Sequence, residues 1–389
     1  MNVIKRHIDN TIKSHFDNNR QILLLLGARQ VGKTTLLKRL YPDAKYFLLD
    51  SDPVLKSFET YDVNTYKQLI SSNNKYVILD EIQLLTNPGR VGKIIYDLMP
   101  EIKLIVTGSS ALNIKNKTSE SMAGRKLDYY IFPLTFAEYL YQTGVEETLS
   151  ETFLSRIIDP IAPVRVHLFD LKWTLSRVLK YGLHPYLIEH PGNQAYLEEL
   201  ANSSIYRDIE ELNLIENKVV ATDLLKLLAY QIGNLINYAE LASKLNTDVR
   251  TVKRYITVFE QSFIIFRLNP FTSNRRDEIG KSPKIYFYDL GVRNAIINDF
   301  SEPLLRRDAG AIFENFIISE VLKHNSYFGK NYQLSFWRTK QGAEVDLVLH
   351  NQNEIIGCEI KLSKGKVSTS FNKRFPITKS KIINIENFY

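Results

Sequence analysis

The feature that most limits how this chain can fold is a glycine-rich segment at residues 27–34, with the sequence GARQVGKT. It matches the pattern G-x-x-x-x-G-K-[ST], follows the apolar run 22–26 and precedes the helix-like run 35–40. In that context the glycines let backbone N–H groups surround phosphates at the N-terminus of a helix. Lys33 then offers a charge to the β- and γ-phosphates, and Thr34 offers a hydroxyl to Mg²⁺. The segment predicts a phosphate-binding loop rather than an ordinary glycine-rich turn.

Binding of a nucleoside triphosphate together with Mg²⁺ is the chemistry that this loop predicts. The residues expected to contact the nucleotide are Gly27, Ala28, Arg29, Gln30, Val31, Gly32, Lys33, Thr34 and Thr35. A nucleotide kinase would also carry such a loop. However, a chain of 389 residues with a basic helical region contains more than a small-molecule kinase needs.

The alternation of strand-like and helix-like runs predicts the fold class around the loop. Apolar runs of strand length lie at 21–26, 46–49, 76–79, 103–106 and 127–132. Because the stretches between them are long enough for crossover helices, we expect an α/β domain whose parallel sheet has helices on both faces. Residues 136–232 have a helical pattern, and strand signals return after residue 263.

Acidic and hydroxyl side chains follow two of these predicted strands. The run YVILDE at residues 76–81 ends in Asp80 and Glu81. Ligands of open α/β sheets gather at the carboxyl ends of the strands, so Asp80 is expected to bind Mg²⁺ and Glu81 to polarise the attacking water. Ser109 and Ser110 follow the next strand, and their hydroxyls are candidate sensors of the γ-phosphate, although capping of a turn explains them equally well.

A helix-turn-helix pattern lies in the middle of the chain, at residues 237–245 and 249–259. Basic residues are expected on its outer face and in a wing between the two strands that follow. They are Arg250, Lys253, Arg254, Arg275, Arg276 and Lys281. This pattern favours contact with double-stranded DNA, while a packing unit of an ATPase lid remains the alternative.

Residues 343–361 predict a β-hairpin that carries three charged groups on one face. Asp346, Glu359 and Lys361 combine two hard oxygen ligands for Mg²⁺ with a lysine that can orient or deprotonate water. Glu314, in the first turn of a predicted helix, is a looser fourth candidate. The alternative is a polar strand face in contact with solvent. For Asp346 to lie opposite Glu359, the turn of the hairpin must contain an even number of residues.

Charge and composition restrict the cellular setting. The formal net charge is +7, and the basic run at residues 361–381 contains no acidic residue, which suits either a solvated tail or a nucleic-acid contact. Apolar runs stay well short of the ~18 residues that span a membrane. The first ten residues carry Lys5 and Arg6 instead of an apolar signal sequence. With Cys358 as the only cysteine, we expect a cytoplasmic protein without an internal disulfide.

Several motifs in order along the chain resemble prokaryotic AAA-family ATPases that carry a C-terminal domain of the restriction-endonuclease type. The motifs are GARQVGKTT from residue 27, VILDEIQ from 77, TGSSA from 107, Gly124-Arg125, PLTFAEYL from 133, Tyr206-Arg207-Asp208 and FWRTKQGAEVD from 336. The sequence Gly182-Leu183-His184-Pro185 departs from the family, which usually has two glycines, an aromatic residue and proline there.

The resemblance implies four domains. They are an AAA-type P-loop ATPase at 1–142, a helical lid at 143–216, a winged helix at 217–300 and a nuclease-like fold of the PD-(D/E)xK type at 301–389. It implies that Lys33 and Thr34 bind phosphate and Mg²⁺, that Ser109 is the sensor, and that Arg125 is a candidate arginine finger. The nuclease-like core would be Asp346, Glu359 and Lys361, with Glu314 as a looser match.

Two functions follow as hypotheses. In the first, ATP hydrolysis controls a Mg²⁺-dependent DNA endonuclease. In the second, the chain is an ATP-gated DNA-binding or regulatory protein whose nuclease-like domain is catalytically silent. Assembly into a homo-oligomer fits both hypotheses, because AAA-type sites often use an arginine of a neighbouring chain.

Overall fold

A computed structural model describes residues 4–70, 74–110, 122–149, 168–211, 215–272, 282–339, 341–363, 365–366, 368–376 and 379–389. The chain divides into two compact units. Residues 1–133, 206–215 and 261–263 form the first unit, and residues 134–205, 216–260 and 264–389 form the second. The described helices include none that is both long and apolar enough to cross a membrane.

The first unit is built on a sheet in which all neighbouring strands are parallel. Its strands are β1 (Ile22–Leu26), β2 (Lys45–Leu48), β3 (Tyr76–Asp80), β4 (Lys103–Gly108) and β5 (Lys126–Tyr130), in the order β2-β3-β4-β1-β5. Every residue of β1 is buried, as expected of a central strand covered on both faces. The predicted α/β fold with a parallel sheet is confirmed.

Short helices precede and connect these strands. They are α1 (Asp9–Lys13) and α2 (His15–Asn18), which lie before β1, and α3 (Lys33–Leu40), α4 (Asp52–Phe58), α5 (Val63–Leu69) and α6 (Pro88–Leu98), with a 3₁₀ turn at Ile82–Leu84. Parallel strands all end at the same edge of a sheet. The segments that follow β1, β3 and β4 therefore meet at the carboxyl edge, where ligands of such sheets bind.

The helices that follow β5 belong mainly to the second unit. They are α7 (Phe136–Gln142), α8 (Leu168–Tyr181), α9 (Tyr186–Glu189), α10 (Gln194–Glu211), α11 (Lys218–Tyr230), α12 (Tyr238–Lys244), α13 (Val249–Gln261), α14 (Leu290–Ile296), α15 (Ala309–Tyr327) and α16 (Thr369–Arg374), with a 3₁₀ turn at Pro303–Leu305.

Helices α12 and α13 are the predicted helix pair. The side chain of Asn237 accepts a hydrogen bond from the backbone N of Glu240 (3.2 Å) and thereby caps α12. Val252, Ile256 and Phe259 of α13 are buried, as their spacing predicts. The residues predicted to form a basic wing, Arg275, Arg276 and Lys281, lie outside the described residues.

The second unit contains a mixed six-stranded sheet. Its strands are β6 (Ile265–Pro270), β7 (Lys284–Phe287), β8 (Gln333–Arg338), β9 (Glu344–His350), β10 (Ile355–Ile360) and β11 (Lys379–Ile383), in the order β11-β10-β9-β8-β6-β7. The pairs β10–β11 and β6–β8 are parallel, and the other pairs are antiparallel. Strand β7 thus lies at one edge, and the hairpin of β9 and β10 lies towards the other.

The predicted hairpin is confirmed in β9 and β10. His350 pairs with Ile355, and Leu347 pairs with Cys358. The backbone N of Asn351 donates to the carbonyl oxygen of Glu354 (3.1 Å), so two residues form the turn and the even number required by the sequence argument is present. Extending the register by one residue sets Asp346 opposite Glu359.

Candidate functional site

The phosphate-binding segment forms a loop between β1 and α3. Gly32 precedes α3 in the left-handed region (φ 94°), and Gln30 is also left-handed (φ 58°). A Cβ on Gly27 would lie 2.1 Å from the carbonyl oxygen of Ile131, so only glycine fits there. Lys33 Nζ donates to the carbonyl oxygens of Gly27 (2.9 Å) and Ala28 (2.9 Å). The lysine therefore lies across the mouth of the loop, where phosphates would replace these carbonyl partners.

A buried arginine, Arg6, also binds this loop, although no motif in the sequence indicates that contact. Arg6 donates to the carbonyl oxygen of Val31 (3.0 Å) and to that of Phe132 (2.7 Å). It is 4% exposed. A charged guanidinium is buried only where its donors are paired, so Arg6 fixes the loop to the segment that follows β5.

Asp80, at the end of β3, faces the N-terminus of α3. Its carboxylate accepts a hydrogen bond of 2.7 Å from the Thr34 hydroxyl and further hydrogen bonds from the hydroxyls of Tyr46 and Thr107. Burial raises the pKa of Tyr46, and its hydrogen bond to Asp80 adds to the increase. The structure thus brings together Thr34 and Asp80, the two groups predicted to bind Mg²⁺ in the ATP site.

Glu81 and Ser109 are joined through Gln83. The side-chain amide of Gln83 donates to Glu81 Oε2 (2.5 Å) and to Ser109 Oγ (3.0 Å). Glu81 itself has a left-handed backbone (φ 63°), which is strained for a residue with a side chain and is characteristic of functional sites. Gln83 was missed as a site residue. Its only signal in the sequence is its place in the VILDEIQ motif.

Arg125 lies apart from these groups. It precedes β5, whose first residue, Lys126, pairs with Ile22 at the start of the parallel strand β1. Arg125 therefore lies at the amino edge of the sheet, opposite the phosphate-binding loop. Its guanidinium forms an ion pair with Asp97 (3.0 Å), whose hydrogen bond raises the pKa of Arg125. It does not reach the loop of its own chain, and a role towards a neighbouring chain stays a prediction.

A second cluster of charged groups lies on the hairpin of the second unit. Lys361 Nζ is 2.9 Å from Asp346 Oδ2 and 2.9 Å from Glu359 Oε1. Asp346 Oδ2 also accepts the backbone N–H of Ile360 (2.8 Å). The structure therefore brings together the two carboxylates and the lysine that the sequence placed on one face.

One carboxylate oxygen in this cluster lacks a hydrogen-bond donor. Glu359 Oε2 is buried and has no hydrogen-bond partner among the described residues, and Glu359 as a whole is 9% exposed. Burial raises the pKa of Glu359, and the charge of Asp346 raises it further. A buried carboxylate with an unpaired oxygen is costly unless a cation or a donor approaches it.

Glu314 has different partners from those that the sequence suggested. Its Oε1 accepts hydrogen bonds from Lys284 Nζ (3.2 Å) and from the Tyr286 hydroxyl (2.5 Å). Lys284 Nζ is also 2.5 Å from Glu344 Oε1. Burial works to lower the pKa of Lys284, but the charges of Glu314 and Glu344 outweigh it and raise the pKa. Among the described residues, no group of three or more acidic, histidine or cysteine side chains is arranged to hold a metal ion.

The predicted DNA-binding residues of α13 are accessible. We call Arg250, Lys253 and Arg254, which are all exposed, the α13 basic face. Lys253 Nζ lies 5.2 Å from the centre of the Tyr238 ring, and Arg254 forms an ion pair with Glu216 (3.0 Å). These surface contacts are weak enough to exchange for phosphate contacts.

Three stretches of the chain match family profiles. Residues 19–140 match the AAA domain. Residues 173–302 match a domain of unknown function, DUF8612, and residues 309–385 match another, DUF4143. Residues 19–140, most of which belong to the first unit, therefore form an AAA-type P-loop ATPase domain, a class of domain that binds nucleotides.

Individual relatives and solved structures add little about function. An uncharacterized protein of Methanocaldococcus jannaschii is 27% identical over 94% of this chain and 80% of its own length. A STAND-class signal-transduction ATPase with a tetratricopeptide repeat sensor from Pyrococcus horikoshii matches with a TM-score of 0.30 and 12% identity over 82% of this chain and 47% of that one. This chain thus spans about half of that protein. AMPPCP-bound DnaA of Aquifex aeolicus matches with a TM-score of 0.27 and 12% identity over 65% of this chain and 86% of that one. Scores this low do not establish a shared fold.

Proposed function

We propose that this protein hydrolyses ATP in its AAA domain and that the nucleotide state controls Mg²⁺-dependent cleavage of double-stranded DNA at Asp346, Glu359 and Lys361. The observation that carries the cleavage part is the meeting of two carboxylates and a lysine on adjacent strands, where one buried carboxylate oxygen has no hydrogen-bond partner among the described residues. An apolar hairpin gains nothing in stability from burying like charges side by side. A bound cation would offset the repulsion between these two carboxylates and so explain why they lie together.

The ATP half of the proposal follows from the carboxyl edge of the first sheet. Lys33 would bind the β- and γ-phosphates, and Thr34 and Asp80 would hold Mg²⁺. Glu81 would act on the attacking water, because Gln83 holds its carboxylate beside Ser109.

The carboxylate pair fits Mg²⁺ in the second unit. Magnesium is commonly bound through one or two protein carboxylates, with waters and substrate phosphates completing its shell, and Asp346 and Glu359 supply such a pair. When bound, the ion would activate water and offset charge on a phosphodiester. Lys361 would contribute a further positive charge beside the same phosphate.

Double-stranded DNA is the proposed substrate because basic groups accompany the cluster. The basic run that begins at Lys361 includes Lys373 and Arg374 in the last turn of α16, and the α13 basic face is exposed in the same unit. Clustered lysine and arginine side chains of this kind bind phosphate backbones.

One observation favours the second candidate, an ATP-gated DNA-binding or regulatory protein with a silent nuclease-like domain. Lys361 already forms ion pairs with both carboxylates, so the cluster is also consistent with a structural ion-pair network. The two candidates differ in whether the lysine gives way to a metal ion.

Plasmid cleavage tests the proposal. We expect supercoiled DNA to be nicked or linearised with Mg²⁺ and not with EDTA, and we expect Asp346→Ala to abolish the cut. Glu386→Ala removes an exposed carboxylate outside the cluster and should cleave like the wild type. If Asp346→Ala cleaves as fast as Glu386→Ala, the nuclease assignment is wrong and the regulatory candidate stands.

A further inference from the structure

Lys284 is the most deeply buried cation beside the carboxylate cluster among the described residues. Its side chain is 4% exposed, and its Nζ lies between Glu314 and Glu344 at 3.2 and 2.5 Å. It comes from β7, within the stretch that matches DUF8612, whereas the other residues of the cluster lie in the stretch that matches DUF4143. Two segments that match different family profiles therefore contribute to one group of charged residues. We call this group, which consists of Lys284, Glu314, Glu344, Asp346, Glu359 and Lys361, the charged centre.

The carboxylates of this centre fall into two pairs, each with one lysine. Asp346 and Glu359 share Lys361, whose side chain is 44% exposed. Glu314 and Glu344 share Lys284, and the hydroxyl of Tyr286 adds a hydrogen bond to Glu314. Arg338 also approaches Glu344, at 3.6 Å, so four carboxylates face three cations. The remaining negative charge, together with the exchangeable Lys361, favours a cation at Asp346 and Glu359.

The two lysines differ in how easily a metal ion can displace them from their carboxylates. Lys361 can swing into water when a metal ion approaches, because nearly half of its side chain is already exposed. Lys284 has no such route, since moving it would leave Glu314 without a counter-ion in a buried site and Glu344 with only the more distant Arg338. A metal ion can therefore replace Lys361 at its carboxylates far more easily than it can replace Lys284.

We propose that Lys284 is a built-in cation in the place of a second metal ion, so that the centre binds a single divalent ion at Asp346 and Glu359 and Glu314 is not a ligand. The inference rests on the metal site of the proposed function and defines its stoichiometry. Under this proposal Glu314 positions Lys284 and does not bind the metal, which differs from the expectation drawn from the sequence. Glu314 and Glu344 hold Lys284 in place beside the strand that carries Asp346.

Binding of Mn²⁺ to nucleotide-free protein, followed by EPR and calorimetry, tests this stoichiometry. All variants are made in a Lys33→Ala background, which keeps the ATP site from contributing. We expect one bound ion in the parent protein, one in the charge-preserving control Lys284→Arg, and two in Lys284→Met, where Glu314 and Glu344 have lost the ammonium group that they share. A single ion in folded Lys284→Met would overturn the proposal.

A second pair of variants decides the question if Lys284→Met does not fold. Asp346→Asn should weaken Mn²⁺ binding at least ~10-fold, the scale expected when a metal site loses an essential carboxylate contact. Glu314→Gln should change the dissociation constant less than ~3-fold. Equal losses of Mn²⁺ affinity in the two variants would show that Glu314 is a ligand. That result would refute this inference but not the metal site of the proposed function. Absence of any bound Mn²⁺ in the parent protein would instead refute the metal site of the proposed function.

Discussion

Gln83 offers a sharp test of the ATP site because it bonds to both predicted catalytic groups. In Gln83→Leu, Glu81 and Ser109 each lose one hydrogen bond, of 2.5 and 3.0 Å respectively. A hydrogen bond contributes about 0.5–1.5 kcal/mol, so losing two that hold the catalytic groups in place raises the barrier by about 1–3 kcal/mol. That corresponds to a fall in kcat of about 5- to 150-fold. Nucleotide affinity should stay within about 3-fold, since neither bond goes to the phosphate-binding loop.

Steady-state ATP hydrolysis and the Kd of a fluorescent ATP analogue separate these two effects. Gln68→Leu, a change of the same type at an exposed position of α5, is the control and should leave both quantities unchanged. The positioning role of Gln83 would be refuted if Gln83→Leu kept a wild-type kcat. A loss of affinity equal to the loss of kcat would point to a collapsed loop instead.

Four further changes probe the ATP site and other parts of the molecule. Lys33→Ala should abolish measurable ATP binding, whereas Glu81→Gln should bind ATP and fail to hydrolyse it; hydrolysis by Glu81→Gln at the wild-type rate would exclude Glu81 as the group that acts on water. Lys323→Met should cost about 3–5 kcal/mol of unfolding free energy, because Lys323 is 1% exposed and is the ion-pair partner of fully buried Glu320 at 2.8 Å. Burial already raises the pKa of Glu320, so the loss should grow between pH 5 and pH 8 in urea titrations; an opposite trend would contradict this sign. Replacing the α13 basic face by alanine should lower the slope of log K for DNA against log salt by about one for each phosphate that the helix no longer binds, and an unchanged slope would remove α13 from the interface.

The sequence was most informative where a local rule determines geometry. The phosphate-binding loop lies between β1 and α3 because glycine spacing and strand-helix context are local properties. The register of the hairpin followed from the parity of its turn, which placed Asp346 opposite Glu359. Buried positions of α13 followed from helical spacing in the same way.

The sequence was least informative where partners are distant in the chain. Lys284 and Glu344 meet because β7 and β9 belong to the same sheet, and no local pattern indicates that pairing. The same limit hid Arg6 and its carbonyl partner Phe132. Glu314 was assigned by its place in a helix, but its hydrogen bonds depend on a strand that lies outside the predicted nuclease-like segment.

Control of DNA cleavage by the nucleotide state is most directly measured as the cleavage rate of Glu81→Gln, which is expected to retain ATP without hydrolysing it. The rate is compared with ATP and without nucleotide, at constant free Mg²⁺. Coupling free energies between sites are typically 1–3 kcal/mol, so the two rates should differ about 5- to 150-fold. The double variant Lys33→Ala with Glu81→Gln should show no response to ATP. Equal cleavage rates with and without ATP in Glu81→Gln would contradict the account, because the two units would then work independently.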